Sequence, residues 1–477
     1  MTHIVWFRRD LRLADNPAIC AANAHARHLV FVFVHAPDEE APWQPGAASR
    51  WWLHHSLTTL DGQLRERGHR LLILHSASGR ALERLAREVG ATDIHTCALI
   101  EPSLRRRDRQ VQAHLDAHGI TLHRHAPNLL FEPESLRTAK GDPYRVFTPF
   151  WRQARAQLMP RAPLPPPDLQ PPPASVPAGV AIDSLGLLPR VAWDRGLLAN
   201  WTPGEQGALT AVDEFLGEHV ASYAQSRNRP DQPGTSRLSP HLHFGEISPH
   251  QVVWAMTDRG LLERGEAFVR ELGWREFCHH LLWHFPLTTD APMDAKFVDY
   301  PWQEPPDPAL LAAWQHGRTG IPMVDAGMRE LWHTGWMHNR VRMVVASLLT
   351  KNLRMHWLNG ARWFWDTLVD ADLANNSAGW QWTAGTGADA APYFRIFNPV
   401  LQGERFDPRG EYVRRWLPEL ARVPVSAIHA PWKLTAAEQR DYGLAGTVYA
   451  VPLIDLAASR AAALEGLSVM RRYNDLR

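Results

Sequence analysis

Between residue 3 and about residue 125 the sequence alternates short β-rich runs with helix-length amphipathic segments, and few folds accommodate that order. The runs are His3–Phe7, Leu29–Val34, Leu71–Leu74, Asp93–Cys97 and Thr121–Arg124, separated by segments such as Arg50–Arg67 and Ala81–Val89. Strand followed by helix in regular turn requires crossovers between parallel neighbours, and such crossovers are right-handed. The expected product is a Rossmann-like α/β domain with a parallel sheet over residues 1–130. The glycine fingerprint G-x-G-x-x-G is absent, so such a fold need not bind NAD.

A second feature bounds this domain. Pro160–Pro177 holds nine prolines in eighteen residues, which cannot build helix or sheet and should lie extended across the surface. Residues 131–199, with this run inside them, are expected to form an extended interdomain linker. Beyond about residue 200 the texture is helical, with amphipathic stretches at Ala208–Tyr223, Glu266–His284, Pro308–Gln315, Val324–Leu331 and Asn339–Asn352. Residues 200–477 read as an all-α domain, and a chain of 477 residues exceeds what one core usually supports.

Composition narrows the partners. Net charge is +1, so any nucleic-acid surface must be a local patch. Only Lys140, Lys296, Lys351 and Lys433 are lysines; the arginine excess suits phosphate, although coding bias produces it as well. Cys20, Cys97 and Cys278 are scattered without a C-x-x-C, which points to a reducing compartment and away from disulfides or a zinc site. No metal is expected. No apolar run is long enough to span a membrane and MTHIVWFRRD lacks a secretory apolar region, so a cytoplasmic protein, monomeric and free of membranes, is expected.

Five sets of residues carry chemistry. In Gly234–Ser239, GTSRLS, small hydroxyls and an arginine beside a glycine can wrap a pyrophosphate, although such turns are also common helix caps. In Phe268–Phe277, FVRELGWREF, a helix would bring Glu271, Trp274 and Arg275 onto one face. A core-facing tryptophan beside a surface ion pair satisfies that pattern equally. In Thr334–Met343, TGWMHNRVRM, an amide and arginines at helical spacing can meet phosphates or base edges, or form a salt-bridged helix. Thr367–Pro399 places Asp370, Asp372, Asn375, Asn376, Trp380 and Trp382 within thirteen residues, a mixture suited to a flat, partly polar, redox-active ring. Finally, 21 tryptophans supply stacking surfaces and oxidisable centres as well as core.

Together these segments resemble the DNA photolyase and cryptochrome family, from WFRRDLRLADNPA near the start to FNP–QGERFDP near residue 405. The nearest fit is the class I cyclobutane pyrimidine dimer photolyases. The resemblance implies FAD bound by Tyr223, Thr235, Ser236, Arg237, Leu238, Ser239, Phe268, Arg342, Asp370, Ala371, Asp372 and Asn376. Arg342 would pair with Asp370 beside the flavin ring, and Asn376 would face flavin N5, where a neutral amide can hydrogen-bond several redox states. It further implies a pocket for damaged DNA formed by Arg227, Glu271, Trp274, Arg275, Asn339, Met343, Trp382 and Gln402, with Trp274 and Trp382 as aromatic walls. Trp302, Trp357 and Trp380 match the family's electron relay. Glu271 and Asn376 complete the catalytic set.

The activity implied is deoxyribodipyrimidine photo-lyase: blue light excites reduced FAD, which donates an electron to a pyrimidine dimer flipped out of DNA. A cryptochrome-type photoreceptor with FAD and no repair activity is the alternative. An antenna chromophore is expected in the α/β domain. IEPSLRRRD carries Ser103 and Leu104 where the folate-binding pattern has Asn and Glu, so a folate is disfavoured and a deazaflavin or flavin stays open.

Overall fold

In the computed structural model, residues 1–389 and 394–475 are described, apart from the side chain of residue 473. All five expected strands form: β1 (Thr2–Phe7), β2 (His28–Val34), β3 (Leu71–Leu74), β4 (Ala91–Cys97) and β5 (Thr121–His125). They pair in parallel in the order β3-β2-β1-β4-β5. Every residue of β1 is buried, as a central parallel strand covered on both faces demands. Register places Ile4 opposite Val30 and Ile94, and Val32 opposite Leu72.

The crossovers are α1 (Pro17–His25), α2 (Ala47–Arg65), α3 (Ser78–Val89) and α4 (Pro102–Asp116). In α3, Leu82, Leu85, Ala86 and Val89 recur on one stripe, and Gly90 ends the helix in the left-handed conformation at φ 64°. That stripe joins Val111 and Leu115 of α4 against Ile4, Val32, Leu72 and Ile94 of the sheet. The α/β core is therefore the one the alternation implied.

The chain divides into two compact units. The first comprises Met1–Ala221, Ser236–Pro286 and Val369–Ala374; the second comprises Ser222–Thr235, Leu287–Leu368 and Asn375–Arg477. In the first, buried polar anchors tie the sheet to helical segments. Glu205 accepts from the Leu13 and Ala14 amides at 3.0 Å, and the buried Asp15 carboxylate accepts from Arg161 at 2.6 Å and from Ser248 at 2.5 Å.

The segment 131–199 is not extended throughout. Phe147–Gln157 forms a helix, α5, because Phe147, Phe150, Trp151 and Ala154 repeat at helical spacing and are buried. They pack on the helix Glu266–His284. Gly273 is the close approach, since a Cβ there would lie 2.3 Å from the Trp151 ring. The proline run itself contains neither helix nor strand. It lies along the sheet domain, with Leu29 N–H donating to Pro171 and Arg70 to the carbonyls of Val176 and Pro177.

Among the described residues no strand follows His125. Glu266–His284 and Pro308–Gln315 form where the periodicity put them, while Asn339–Asn352 divides into an α-helix to Ser347 and a π-turn over Leu348–Asn352. No described helix is long and apolar enough to cross a membrane. All three cysteines are free.

Candidate functional site

In the first unit the turn 236–239 meets the strip 370–372. Arg237 adopts φ 53°, an uncommon left-handed state for a residue with a Cβ, and the short helix Ser239–Phe244 follows. Leu238 N–H donates to Ser236 Oγ at 3.4 Å, and the Ser239 hydroxyl donates to Asp370 Oδ2 at 2.7 Å. The Arg237 guanidinium lies over the Trp201 ring, 4.3 Å from its centroid. The turn thus combines hydroxyls and an arginine with a buried carboxylate bonded to Ser239, a donor and acceptor set suited to an anionic, polar ligand.

Asp372, also buried, faces His279 Nε2 at 3.3 Å and His243 Nδ1 at 3.5 Å. Burial works against its charge, yet the His279 cation and the His243 hydrogen bond hold the carboxyl well below its ordinary range. Burial likewise opposes the His279 cation, and Asp372 overrides it, so the His279 pKa is raised. Burial lowers that of His243. Asp372 and His279 thus favour each other's charged forms, while burial pushes His243 toward the neutral imidazole.

These groups line a cavity of roughly 40 Å³ with Arg9, Asp10, Cys97 and Glu101, at the carboxyl ends of β1 and β4. Arg9 pairs with Glu101 and, at 3.2 Å, with Glu40. In the order β3-β2-β1-β4-β5 this is the topological switch point, where open α/β sheets bind ligands. Its free volume suits waters.

On Glu266–His284, Phe268 is buried against Phe215 with centroids 4.5 Å apart. Glu271, Trp274 and Arg275 are half-buried. Trp274 lies flat on Phe147, 3.7 Å between centroids and 8° between planes. Arg275 is engaged inside the unit: it donates to Glu276 Oε1 and to the Asn128 carbonyl, both at 2.9 Å. A phosphate role for Arg275 therefore finds no support in this geometry, because buried Glu276 holds the guanidinium.

In the second unit, Arg227 lies 5.6 Å over the buried Tyr223 ring, and Thr235 is half-buried. Asn339 is exposed at the start of Asn339–Ser347, with Arg342 and Met343 half-buried. Arg342 Nε donates to the Met337 carbonyl at 2.7 Å. The cap of this helix is His338, whose Nδ1 accepts from Arg340 N–H at 3.1 Å. Its pKa is pushed down to about 3, first by burial and then by Arg340, Arg342 and Arg227. Burial, Arg227, Arg405 and Arg395 in turn lower that of Arg340. Arg340 belongs to the phosphate-facing set expected in TGWMHNRVRM, whereas Arg395 and Arg405 were not selected from sequence; the arginines in FRIF and GERF were the available signal. Gln402, half-buried, stands on the same helix, Pro399–Phe406, as Arg405.

Also in this unit, Asn376 Nδ2 donates to the Ala361 carbonyl at 3.0 Å, which fixes the amide. Trp382 is half-buried, 6.4 Å from Phe397. Trp302 contacts His356 at 5.4 Å, and His356 contacts the buried Trp357 at 5.6 Å. Trp380 is buried against Phe364 at 5.0 Å and Trp314 at 6.2 Å. The indole N–H groups of Trp357 and Trp380 have no hydrogen-bond partner among the described residues. Trp314, unselected from sequence, is fully buried and donates to the Val345 carbonyl at 3.1 Å.

Comparison with known proteins decides the family. Residues 3–171 match the family model "DNA photolyase", and residues 268–469 match "FAD binding domain of DNA photolyase". A deoxyribodipyrimidine photo-lyase of Agrobacterium fabrum is 42% identical, over 98% of either chain. The chain belongs to the DNA photolyase and cryptochrome family.

Cryptochrome-2 of Arabidopsis thaliana is 38% identical over 98% of this chain and 79% of its own length. The crystal structure of a bacterial class III photolyase from Agrobacterium tumefaciens superposes with a TM-score of 0.94 at 41% identity, covering 99% of this chain and 98% of that one. The class I assignment expected from sequence gains nothing from these relatives. The photolyase-family FAD-binding domain contains Glu271, Trp274, Arg342, Asp370–Asp372 and Asn376, whereas the 223–239 segment lies outside both matched ranges.

Proposed function

We propose that this chain is a deoxyribodipyrimidine photo-lyase that repairs cyclobutane pyrimidine dimers in DNA with light. In this reading residues 1–130 carry an antenna chromophore, 131–199 link, and 200–477 bind FAD and DNA, the protein acting as a cytoplasmic monomer. FAD would be held by Tyr223, Thr235–Ser239, Phe268, Arg342, Asp370–Asp372 and Asn376. The hydroxyls and Arg237 suit its pyrophosphate, and the carboxylates and amide suit its polar ring edges. When bound and reduced, FAD supplies the photochemistry: an electron given to the dimer on excitation.

The protein's own work is to hold, orient and exclude water. Trp274, braced by Phe147, offers a rigid aromatic wall to an extruded dinucleotide, and Glu271 one turn earlier offers a carboxylate to its base edge. The arginines around His338 supply phosphate affinity. Asn376, with its N–H2 anchored on Ala361, has a carboxamide oxygen that can serve as acceptor. Trp302, Trp357 and Trp380 would carry electrons to FAD, and Trp314 beside Trp380 extends that set.

The observation that carries the reading is the Trp274–Phe147 stack next to Glu271. Its test is a duplex oligonucleotide with one thymine dimer, incubated with reduced protein in light and in darkness. The photoreceptor reading rests on the 38% identity to a plant cryptochrome and would be favoured by full FAD content without repair. For the antenna, Leu104 is buried in the α4 core and offers no polar group, which weighs against the folate pattern.

A further inference from the structure

His114 lies in the last turn of α4 and His118, four residues on, in the turn that follows it; α3 packs beside α4. Glu83 of α3 reaches both imidazoles: Oε2 is 2.9 Å from His114 Nε2, and Oε1 is 3.7 Å from His118 Nε2. One donor atom from each residue can be chosen so that all lie within 4.8 Å of one another. Tetrahedral zinc with bonds of about 2.0–2.2 Å separates its ligand atoms by roughly 3.3 Å. Small side-chain rotations would bring the three groups to that spacing.

The surroundings favour a ligand set. His118 Nδ1 lies 2.7 Å from the His114 carbonyl, which accepts its N–H and leaves Nε2 as a lone-pair donor turned toward Glu83. A backbone acceptor of this kind commonly fixes the tautomer of a metal-bound histidine. The His114 ring rests on Gly79, where a Cβ would come within 3.3 Å of it. The two rings stand 4.7 Å apart, tilted by 47°. One group competes: Arg87 Nη2 lies 2.9 Å from Glu83 Oε1.

We propose that Glu83, His114 and His118 form a surface site for a divalent first-row transition ion such as Zn²⁺, clipping α3 to α4. Imidazole nitrogen and carboxylate oxygen suit zinc, and the remaining position is open to water. None of the three cysteines takes part, so a cysteine-based search for zinc could not find it. The ion would stabilise the α/β domain by mass action, and no photochemical step involves it.

The test is Zn²⁺ titration of the untagged, chelator-treated full chain against a chromophoric chelator, together with thermal midpoints. One site per chain is expected. Its affinity should fall at least about tenfold in His114→Ala and in His118→Gln, as loss of one of three ligands implies. Arg87→Gln should tighten it severalfold by releasing the carboxylate. His118 lies in the turn after α4, so its replacement leaves the core untouched and keeps the test valid if His114→Ala misfolds. Unchanged stoichiometry and affinity in His118→Gln, or no binding by the wild type, would overturn the proposal.

Discussion

Trp274 and Phe147 lie face to face, 3.7 Å between ring centroids and 8° from parallel. The second residue comes from a segment whose sequence promised only a linker. If Trp274 is a wall of the dimer pocket, Phe147 is what keeps it upright. Stacking on an aromatic is worth about 1–3 kcal/mol per base. Trp274→Ala should therefore weaken binding of dimer-containing DNA roughly 5- to 160-fold, with FAD content intact. Phe147→Ala should produce a smaller loss in the same direction. Equilibrium binding alongside the flavin-to-protein absorbance ratio checks both, and loss of flavin from Trp274→Ala would remove it from the lesion pocket.

The arginines near His338 predict a salt effect. Neutralising one phosphate contact lowers the slope of log affinity against log salt by about one. Arg227→Ala and Arg405→Ala should each do this on damaged and undamaged duplex alike, while Arg275→Ala should leave the slope unchanged because Glu276 and Asn128 hold that side chain. Fluorescence anisotropy across a salt series measures it.

Gly360 is a packing requirement under Trp380. A Cβ there would lie 2.0 Å from the indole, so Gly360→Ala must push the ring or bend the helix Trp357–Thr367. Overpacking costs about 1–3 kcal/mol, so the thermal midpoint should fall by several degrees, at roughly 2–4 °C per kcal/mol. Light-driven flavin reduction should slow as well if Trp380 is part of the relay. An unchanged midpoint in calorimetry would contradict the packing argument.

His338 predicts acid sensitivity. Its folded pKa of about 3 lies below the ordinary imidazole value of 6.5. The unfolded chain therefore binds a proton that the folded chain refuses. The neutral imidazole's contribution is complete above pH 6.5 and declines as pH falls toward 3, by up to about 1.4 kcal/mol per pH unit. His338→Asn keeps a cap acceptor without a titrating group. Denaturant unfolding at pH 7 and pH 5 should show the wild type losing more stability than this variant; equal losses would exclude the assignment.

Much of this was legible in the sequence. The five strands follow from short β-rich runs set between helix-length segments, because a central parallel strand covered on both faces is apolar throughout, and the helix Glu266–His284 forms where it was expected. Helix α5 was hidden by the proline run that follows it, although Phe147, Phe150, Trp151 and Ala154 carried its signal. The candidate site was legible as residue types by resemblance, but its bracing was not. Phe147 behind Trp274, Glu276 holding Arg275 and Gly360 beneath Trp380 are contacts between distant segments, which local pattern does not encode. The Asp372–His279 pair was invisible for the same reason, its partners being 93 positions apart.

The most direct measurement counts thymine dimers split per chain. Protein loaded with FAD, reduced and kept anaerobic, is mixed with excess dimer-containing duplex and exposed to blue light, with a dark control. The account predicts many dimers reverted per chain in the light and none in the dark. Intact dimers after illumination, with FAD verified as bound and reduced, would contradict it.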